Sequence, residues 1–424
     1  MKQYKPRIAD KILQDKLASK GAVLIEGPKW CGKTSTAEQI AKSTLYMQDP
    51  AKKRQNLELA DLAPDRLLQG ETPRLIDEWQ LSPKLWDAVR FEVDKRDEFG
   101  QFILTGSAVP PNTDEISHTG TGRISRMLMR PMSLYESKES SGSVSLSALF
   151  AGDTDIYGEN KLGIDELAFL ICRGGWPKAL DYSEKIALQQ AIDYYDAVVN
   201  MDIGRVDNVD RNPERAKRLL RSYARAIGSQ MTLSSIMADI ATNEADTISD
   251  NTLSSYISAL KRIFVLEESL AWNPNLRSKT AIRTSNTRYF TDPSIGTAAL
   301  GLGPNDLVND IRTMGLFFEN MCIRDLRCYA DALDGTVYHY RDSYGLECDA
   351  VIHLRNGNYG LIEIKLGGDE AINEAVETLT KFENTLDTTK MKSPAFKMII
   401  VGNGDIAYKR KDGMLIVPIS CLKD

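Results

Sequence analysis

The amino-acid sequence predicts an α/β protein with a parallel sheet, because short apolar segments alternate with helical patterns along its first third. Three segments, Ala22–Glu26, Arg74–Asp77 and Phe102–Thr105, are short and mostly apolar. Strands of this kind are typical of parallel sheets whose two faces are both covered by helices. We therefore expect these three strands to belong to one parallel sheet that helices cover on both faces.

A well-marked helix is predicted between the second and third strands. Ser82 can cap it, and Pro83 suits its first turn because proline has no N–H to lose there. Its apolar side chains recur at helical spacing and line one face: Leu85, Trp86, Val89 and Val93. This face is expected to pack inward.

Length and composition indicate several globular domains without a membrane partner. The 424 residues are 42% hydrophobic, and the net charge of −6 gives no general attraction to nucleic acid. Six scattered cysteines and three histidines argue against a structural zinc site. Because no apolar stretch approaches the ~20 residues that span a bilayer and no signal-peptide pattern occurs, we expect a cytoplasmic protein.

A phosphate-binding loop is predicted directly after the first strand. Residues 27–34, Gly-Pro-Lys-Trp-Cys-Gly-Lys-Thr, form a Walker A motif between a strand and a helical pattern. The glycines let the loop wrap around an anion, Lys33 supplies charge for the phosphates, and Thr34 supplies a hydroxyl for Mg²⁺. The expected ATP-binding residues are Gly27, Pro28, Lys29, Cys31, Gly32, Lys33, Thr34, Ser35 and Asp77.

The second strand ends in an acidic pair that matches a Walker B motif. We expect Asp77 to hold Mg²⁺ together with Thr34, and Glu78 to polarise the water that attacks the γ-phosphate. Residues 105–107, Thr-Gly-Ser, end the third strand. A polar side chain there can sense the γ-phosphate, or the segment is only a strand-to-loop turn.

Transfer of a γ-phosphoryl group gains from an arginine of the same chain or of a neighbour. Arg123, Arg126 and Arg130 are the candidates, and Arg123 is favoured as catalytic. An arginine from a neighbour would make the protein a homo-oligomer. Residues 173–177, Arg-Gly-Gly-Trp-Pro, either close over the nucleotide or form only a tight turn.

The middle of the chain predicts helices followed by a basic hairpin, which is the winged-helix pattern. Residues 249–264 have helical apolar spacing, and strands are predicted at 265–268 and 288–292. The loop between these strands holds Arg277, Lys279 and Arg283.

Upstream of this hairpin, residues 205–225 form a basic stripe that can neutralise DNA phosphates. The alternative is a solvated helix face on an intramolecular docking module. The seven basic residues are Arg205, Arg211, Arg215, Lys217, Arg218, Arg221 and Arg225.

The last part of the chain predicts a restriction-endonuclease-like core of three strands, a helix and a further strand. The strands are expected at 337–341, 347–352, 359–365 and 398–401, and the helix at 369–386. This order of elements places polar residues of neighbouring strands on one face.

A metal-dependent nuclease site is predicted on this face. It needs two carboxylates that bind Mg²⁺ beside a lysine that positions or deprotonates water. Asp349 and Glu363 are the expected metal ligands, Lys365 is the lysine, and Glu319 can complete the site from a preceding helix. Glu347 is either a further ligand or only a neighbour.

The order of these motifs resembles bacterial and archaeal AAA-type ATPases with a C-terminal domain of unknown function related to PD-(D/E)XK nucleases. The resemblance covers nearly the whole chain. It implies a P-loop core at 1–136, a helical lid at 137–205, a winged helix at 206–295 and a nuclease-like domain at 296–424. The segments that carry it, besides the Walker A loop, are Leu75–Gln80, Ile103–Ser107, Gly122–Ile124, Met129–Leu134 and Arg173–Pro177.

Two functions follow as expectations. The first is an ATP-hydrolysing protein whose nuclease-like module acts on DNA. The second is a non-enzymatic nucleotide switch whose C-terminal domain only binds DNA or protein. Similarity to STAND-type switch ATPases implies that the nucleotide state controls domain arrangement and that Pro177 packs near the base.

Overall fold

The structure, a computed structural model, describes residues 4–106, 119–207, 209–241, 249–274 and 285–424. The chain divides into two compact units, each built from separate segments. The first unit comprises residues 1–131, 197–213 and 255–265, and the second comprises residues 132–196, 214–254 and 266–424. The domain borders expected at 136, 205 and 295 stay predictions.

Residues 4–131 alternate strands with helices. In chain order the elements are α1 (Ile8–Leu17), β1 (Ala22–Glu26), α2 (Lys33–Glu38), β2 (Ser43–Tyr46), α3 (Lys53–Leu62), α4 (Pro64–Leu67), β3 (Arg74–Asp77), α5 (Lys84–Arg96), β4 (Phe102–Thr105) and β5 (Ile124–Leu128). The three strands expected from apolar runs are confirmed as β1, β3 and β4.

The five strands of this unit form one parallel sheet in the order β2-β3-β4-β1-β5. Alternate residues of each strand face opposite sides, so Leu24 and Leu104 belong to one buried cluster and Val23 and Ile103 to another. Both faces are therefore covered, as the short apolar strands predicted. This arrangement fixes the carboxyl ends of the strands at one edge of the sheet.

Helix α5 buries the four apolar side chains expected on its inner face. The capping role expected of Ser82 is wrong, because Pro83 is the N-cap residue and no side chain caps the helix. The Ser82 side chain is buried, and its carbonyl accepts a backbone hydrogen bond from Leu85 at 3.0 Å.

Residues 132–265 are mainly helical. The elements are β6 (Val144–Ser145), α6 (Leu146–Phe150), β7 (Gly158–Glu159), α7 (Ile164–Arg173), α8 (Glu184–Ala197), α9 (Ile203–Arg205), α10 (Pro213–Arg225), α11 (Leu233–Ile240) and α12 (Asp250–Arg262). The helix expected at 249–264 is thereby confirmed as α12. No helix among the described residues is long and apolar enough to cross a membrane.

In the described parts of the hairpin expected after α12, two isolated antiparallel bridges occur, Leu266 with Phe290 and Ser269 with Thr287. The expected basic residues of its loop, Arg277, Lys279 and Arg283, lie outside the described residues. Ser107 lies outside them as well. Three helices followed by an antiparallel pair are compatible with a winged helix, which stays a prediction.

Residues 285–424 return to mixed α/β structure. The elements are α13 (Pro293–Leu300), α14 (Pro304–Asn309), α15 (Ile311–Ala332), β8 (Gly335–Arg341), β9 (Glu347–Leu354), β10 (Tyr359–Gly367), α16 (Asp369–Thr385), β11 (Phe396–Asn403), β12 (Ile406–Lys409), β13 (Leu415–Pro418) and β14 (Leu422–Lys423). The four expected strands and the expected helix are all found.

These strands form most of a seven-stranded sheet in the order β7-β12-β13-β11-β10-β9-β8. Strands β8, β9 and β10 are antiparallel neighbours, whereas β10, β11 and β13 run parallel. The antiparallel register of β9 with β10 pairs Ala350 with Ile362. The next residues along this register are Asp349 and Glu363, which places the two candidate carboxylates side by side.

Candidate functional sites

The Walker A loop leaves β1 at its carboxyl end and leads into α2. Gly27 and Gly32 adopt φ angles of 148° and 102°, which a residue with a side chain rarely takes. A Cβ added at Gly27 would lie 2.1 Å from the carbonyl oxygen of Met129. The loop therefore needs glycine for its backbone conformation and for its close contact with the strand edge.

Lys33 is buried at the start of α2 and points back into the loop. Its ammonium group donates to the carbonyl oxygens of Gly27 at 2.9 Å and of Pro28 at 2.7 Å. These contacts hold the positive charge within the loop that phosphates are expected to enter. Ser35 follows in α2, where its carbonyl oxygen accepts a hydrogen bond from Gln39.

Asp77 joins the Walker A loop to two strand ends. Its Oδ1 accepts hydrogen bonds from the hydroxyl of Thr34 at 2.8 Å and from the hydroxyl of Thr105 at 2.7 Å. Parallel pairing of β3 with β4 places Asp77 beside Thr105. The structure thus brings together the hydroxyl and the carboxylate that were expected to hold Mg²⁺.

Glu78 follows Asp77 in a left-handed backbone conformation, with φ of 56°. Burial raises the pKa of its carboxyl group, and the neighbouring Asp77 carboxylate raises it further. Gln80 donates to Glu78 Oε2 at 2.5 Å and so holds the side chain in place. A residue held in this strained conformation at the strand end fits a positioned base.

The side chains of Lys29 and Cys31 in the Walker A loop have different environments. Lys29 forms an ion pair with the buried carboxylate of Asp202 at 2.5 Å. Cys31 packs in the core, where its thiol donates to the carbonyl of Met129. Only the backbone of Cys31 is thus available to a nucleotide, whereas the sequence pattern had not distinguished its backbone from its side chain.

The expectation that Arg123 acts on the nucleotide of its own chain is wrong. Its carbonyl accepts a hydrogen bond from Ala22, at the amino end of β1, and its guanidinium pairs with Asp94 at 2.7 Å. The Walker A loop follows the other end of that strand, roughly 13 Å away along the strand axis. Arg130 lies after β5, at the carboxyl edge, and Arg126 pairs with Glu26 at 2.8 Å.

The segment Arg173–Pro177 forms a tight turn within the second unit. Arg173 is buried and pairs with Glu139 at 2.5 Å, and Gly174 ends α7 with φ of 72°. A Cβ at Gly174 would lie 2.4 Å from Asp292 Oδ1. Of the two alternatives for this segment, the tight turn therefore explains Gly174. The packing of Pro177 near the base of a nucleotide stays a prediction.

Asp349, Glu363 and Lys365 converge on one face of the C-terminal sheet. Lys365 Nζ lies 2.9 Å from Glu363 Oε2 and 3.7 Å from Asp349 Oδ2. Asp349 Oδ2 also accepts from the backbone N–H of Ile364 at 2.8 Å, which turns its side chain toward β10. Glu347 instead pairs with Arg341 at 2.9 Å on the exposed surface.

The electrostatics of this cluster favour a cation. Burial and the Asp349 carboxylate raise the pKa of Glu363, and Lys365 only partly offsets them. Glu363 Oε1 is buried and accepts no hydrogen bond from any residue that the structure describes. Two carboxylates with an unsatisfied oxygen suit Mg²⁺, which commonly uses one or two carboxylates and several waters.

Glu319 lies on α15 as expected, but it does not join a three-carboxylate metal site. Within the described ranges, no three histidine, cysteine, aspartate or glutamate side chains are placed to hold one ion. Glu319 Oε1 instead accepts a hydrogen bond from the buried Tyr289 hydroxyl at 2.5 Å. Burial raises the pKa of the Glu319 carboxyl group, and the Asp349 carboxylate raises it further.

One of the seven basic residues at 205–225 is buried and does not belong to the exposed stripe. Arg211 is buried and forms two hydrogen bonds with Asp207, at 2.6 Å and 2.8 Å, and two with Ser255, to its hydroxyl at 2.9 Å and to its carbonyl at 3.4 Å. Its charge is therefore satisfied within the first unit and cannot meet a phosphate. Arg205, Arg221 and Arg225 are exposed.

Three family models match separate parts of the chain, none of them half of it. Residues 19–138 match an AAA domain. Residues 164–306 and 314–422 match two domains of unknown function, DUF8612 and DUF4143. Residues 19–138 thus form an ATPase-like domain of the AAA type. The comparison with curated proteins gave no match.

Several solved structures are similar at low identity. A Walker-type ATPase of Pyrococcus abyssi aligns at 15% identity and a TM-score of 0.40, over 69% of this chain and 94% of that one. A STAND protein with a tetratricopeptide repeat sensor from Pyrococcus horikoshii aligns at 13% and 0.25, over 79% of this chain and 48% of that one. A DNA polymerase III gamma subunit-related protein of Thermotoga maritima aligns at 10% and 0.22, over 61% and 100%. These scores assign no property to this chain.

Proposed function

We propose that this chain binds and hydrolyses ATP with Mg²⁺, and that its C-terminal domain is a metal-dependent nuclease-like module acting on DNA. The observation that carries the first part is the double hydrogen bond to Asp77 from Thr34 and Thr105. These two hydrogen bonds connect helix α2, which follows the Walker A loop, with the ends of strands β3 and β4. The AAA domain match over residues 19–138 also supports the proposed ATP binding.

In this proposal each residue of the first site has one task. Bound Mg²⁺ would neutralise the phosphate charge, with Thr34 and Asp77 as its holders. Lys33 would exchange the carbonyl oxygens of Gly27 and Pro28 for phosphate oxygens. Glu78, which Gln80 orients, would accept a proton from water.

Two variants separate binding from hydrolysis. Lys33→Ala is expected to lose ATP binding, because it removes the phosphate counter-charge. Glu78→Gln keeps binding and lowers turnover at least ~100-fold, the scale of a lost general base. Calorimetric titration and phosphate release measure the two effects. Equal loss of binding in both variants would contradict these roles.

The observation that carries the second part is the convergence of Asp349, Glu363 and Lys365, with Glu363 Oε1 left without a hydrogen-bond donor among the described residues. A bound divalent cation would satisfy this oxygen and act as a Lewis acid on a phosphodiester. Asp349 and Glu363 would hold it. Lys365 would then be free to position water, since the cation replaces it as counter-charge.

The nuclease proposal is tested with Asp349→Asn and the matched variant Glu347→Gln on the same strand. Asp349→Asn should abolish Mg²⁺- or Mn²⁺-dependent cleavage of DNA and leave ATP hydrolysis intact. It should also remove the rise in unfolding temperature that Mn²⁺ gives the parent protein. Glu347→Gln should change neither, because Glu347 is exposed and pairs with Arg341. Cleavage that persists in Asp349→Asn would exclude this site.

A nucleotide switch without nuclease activity is the second candidate, and the ion pair of Lys29 with Asp202 favours it. This pair links the Walker A loop to residues 197–213, which follow helix α8 in the chain. A nucleotide phosphate that attracts the Lys29 ammonium group would weaken its ion pair with Asp202. ATP binding without measurable hydrolysis or DNA cleavage would select this function.

A further inference from the structure

The turn that follows helix α10 packs against Glu319 of helix α15, and both lie in the second unit. Helix α10 ends at Arg225, and the chain turns three residues later at Gly228, which has a φ of 71°. A Cβ added at Gly228 would lie 3.0 Å from Glu319 Oε1. Glycine therefore suits both the backbone conformation of this turn and its close approach to the carboxylate.

Hydrogen bonds fix this turn in place. The backbone N–H of Gly228 donates to the carbonyl of Arg288 at 2.9 Å, and the N–H of Arg288 donates to the carbonyl of Ser229 at 3.1 Å. The next residue, Tyr289, donates its hydroxyl to Glu319 Oε1 at 2.5 Å. The turn and the Glu319 carboxylate are thus held by the same segment of chain.

Helix α15 connects this turn with the candidate metal ligands. It packs against β9 and β10, the strands that carry Asp349 and Glu363. Burial raises the pKa of Glu319, the Asp349 carboxylate raises it further, and the Lys365 ammonium opposes both. Gly228, Glu319, Asp349 and Lys365 are all partly exposed. Solvent therefore reaches the α10 turn, Glu319 and the metal cluster alike.

A row of arginines on α10 leads to this turn. Arg218, Arg221 and Arg225 recur at spacings of three and four residues, so they lie on one face of the helix. Arg221 and Arg225 are exposed, and the Arg225 guanidinium lies 3.6 Å from Asp239. At 1.5 Å per residue the row is roughly 10 Å long, which spans about three phosphates of one DNA strand.

We propose that this arginine row and the metal cluster form one DNA-binding surface, on which α10 holds the backbone of a duplex that is cut beside Asp349 and Glu363. The inference rests on the proposed nuclease function and gives its substrate a minimum length. From Glu319 the turn and the row reach at most roughly 20 Å, the length of about six base pairs. A duplex stays straight over this distance, because its persistence length is about 500 Å.

The test measures Mn²⁺-dependent cleavage of end-labelled duplexes of increasing length by the full chain. In the parent, kcat/KM should rise once the duplex exceeds about six base pairs. On a duplex of about 20 base pairs, the double variant Arg221→Gln, Arg225→Gln should raise KM at least about fivefold and keep kcat within about twofold, because it loses two phosphate contacts and keeps the metal cluster. Its dependence on duplex length should become shallower, and ATP hydrolysis should not change.

Two further variants serve as controls. The double variant Arg221→Lys, Arg225→Lys keeps both charges and should keep KM within about twofold of the parent. Arg355→Gln removes one charge elsewhere in the second unit and should leave KM unchanged. The Arg355 side chain is 84% exposed and follows β9 at the end opposite to Asp349.

The possible results separate the shared surface from the nuclease function. Unchanged KM in the glutamine double variant would overturn the shared surface and leave the nuclease site standing. An equal rise of KM in Arg355→Gln would overturn it too, because net charge alone would then explain the effect. A fall in kcat without a rise in KM would overturn it as well, since α10 would then support only the fold of the site. A parent that cleaves no duplex of any length with Mn²⁺ would overturn the proposed nuclease function and this inference with it.

Discussion

Lys29 of the Walker A loop lies 2.5 Å from the carboxylate of Asp202, a residue 173 positions further along the chain. Asp202 is buried, whereas the Lys29 side chain is 44% exposed. A lysine that is already paired has less free energy to gain from an incoming phosphate. In the proposed nucleotide site, this pair would therefore compete with ATP for the positive charge of Lys29.

Asp202→Asn is expected to tighten ATP binding about twofold to fivefold, because half-exposed ion pairs of this kind contribute at most about 1 kcal/mol. The measurement is the dissociation constant of ATP at low salt, where the charge effect is largest. Lys29→Met serves as the control and should weaken binding. Weaker ATP binding in Asp202→Asn would instead mean that the pair holds the loop in its binding conformation.

The sequence located the elements of both sites better than it located their long-range contacts. Strands such as Arg74–Asp77 and Tyr359–Gly367 can be predicted from their local apolar pattern. Pairing of neighbouring strands in the sheet then brings the polar residues at their ends together. Asp202 and Tyr289 could not be found this way, because each meets its partner only through the fold. Tyr289 carries no signal beyond its place in an apolar run.

Arg123 lies at the amino end of the parallel sheet, the end opposite to the phosphate loop. In a parallel sheet, ligands bind at the carboxyl ends of the strands. Arg123 precedes β5 and Arg130 follows it, so only Arg130 lies at that edge. Polar Ser125 and Arg126 interrupt the apolar pattern of Ile124–Leu128, so the sequence carries no clear local signal for this strand or for the sheet edge at which Arg123 lies.

Arg324 is expected to be a main support of the second unit. It is buried and donates to Asp292 Oδ2 at 2.9 Å and to Asp325 Oδ1 at 2.7 Å. Arg324→Met leaves both carboxylates without this partner and should lower the free energy of unfolding by about 3–5 kcal/mol. Urea unfolding measures the change. Arg341→Met, which breaks an exposed pair with Glu347, should cost no more than about 1 kcal/mol. Similar losses in both variants would refute a special role for the buried network.

His339 should make the protein less stable in acid. It is buried, and burial lowers its pKa from 6.5 to about 4. The unfolded chain takes up this proton below about pH 6.5, whereas the folded chain does so only near pH 4. The free energy of unfolding therefore decreases as the pH falls through this range, by at most about 3 kcal/mol from this residue.

His339→Gln removes that contribution, so the variant should lose less stability than the parent between pH 6.5 and pH 4. Urea unfolding at several pH values provides the comparison. His353→Gln is the matched control, because His353 is only half-buried and should give a smaller difference. Parallel pH curves for the parent and His339→Gln would exclude this histidine as the cause.

The exposed part of the basic stripe is expected to bind DNA through phosphates alone. Each phosphate contact releases counterions, so the logarithm of the binding constant falls with the logarithm of salt concentration, with a slope of about −0.9 per contact. Reversing the charge at the half-buried Arg218 and the exposed Arg221 should weaken binding to any sequence about equally and make this slope shallower by about 2. Fluorescence anisotropy with two unrelated duplexes measures both effects.

Arg54→Glu is the control for this prediction, since Arg54 is 93% exposed in the first unit and lies outside the stripe. It should leave the slope unchanged. A slope that changes equally in the control would show only the effect of total charge, because net charge acts on any polyanion at long range. If the parent binds no DNA at low salt, with or without ATP, the stripe is a solvated helix face on a docking module.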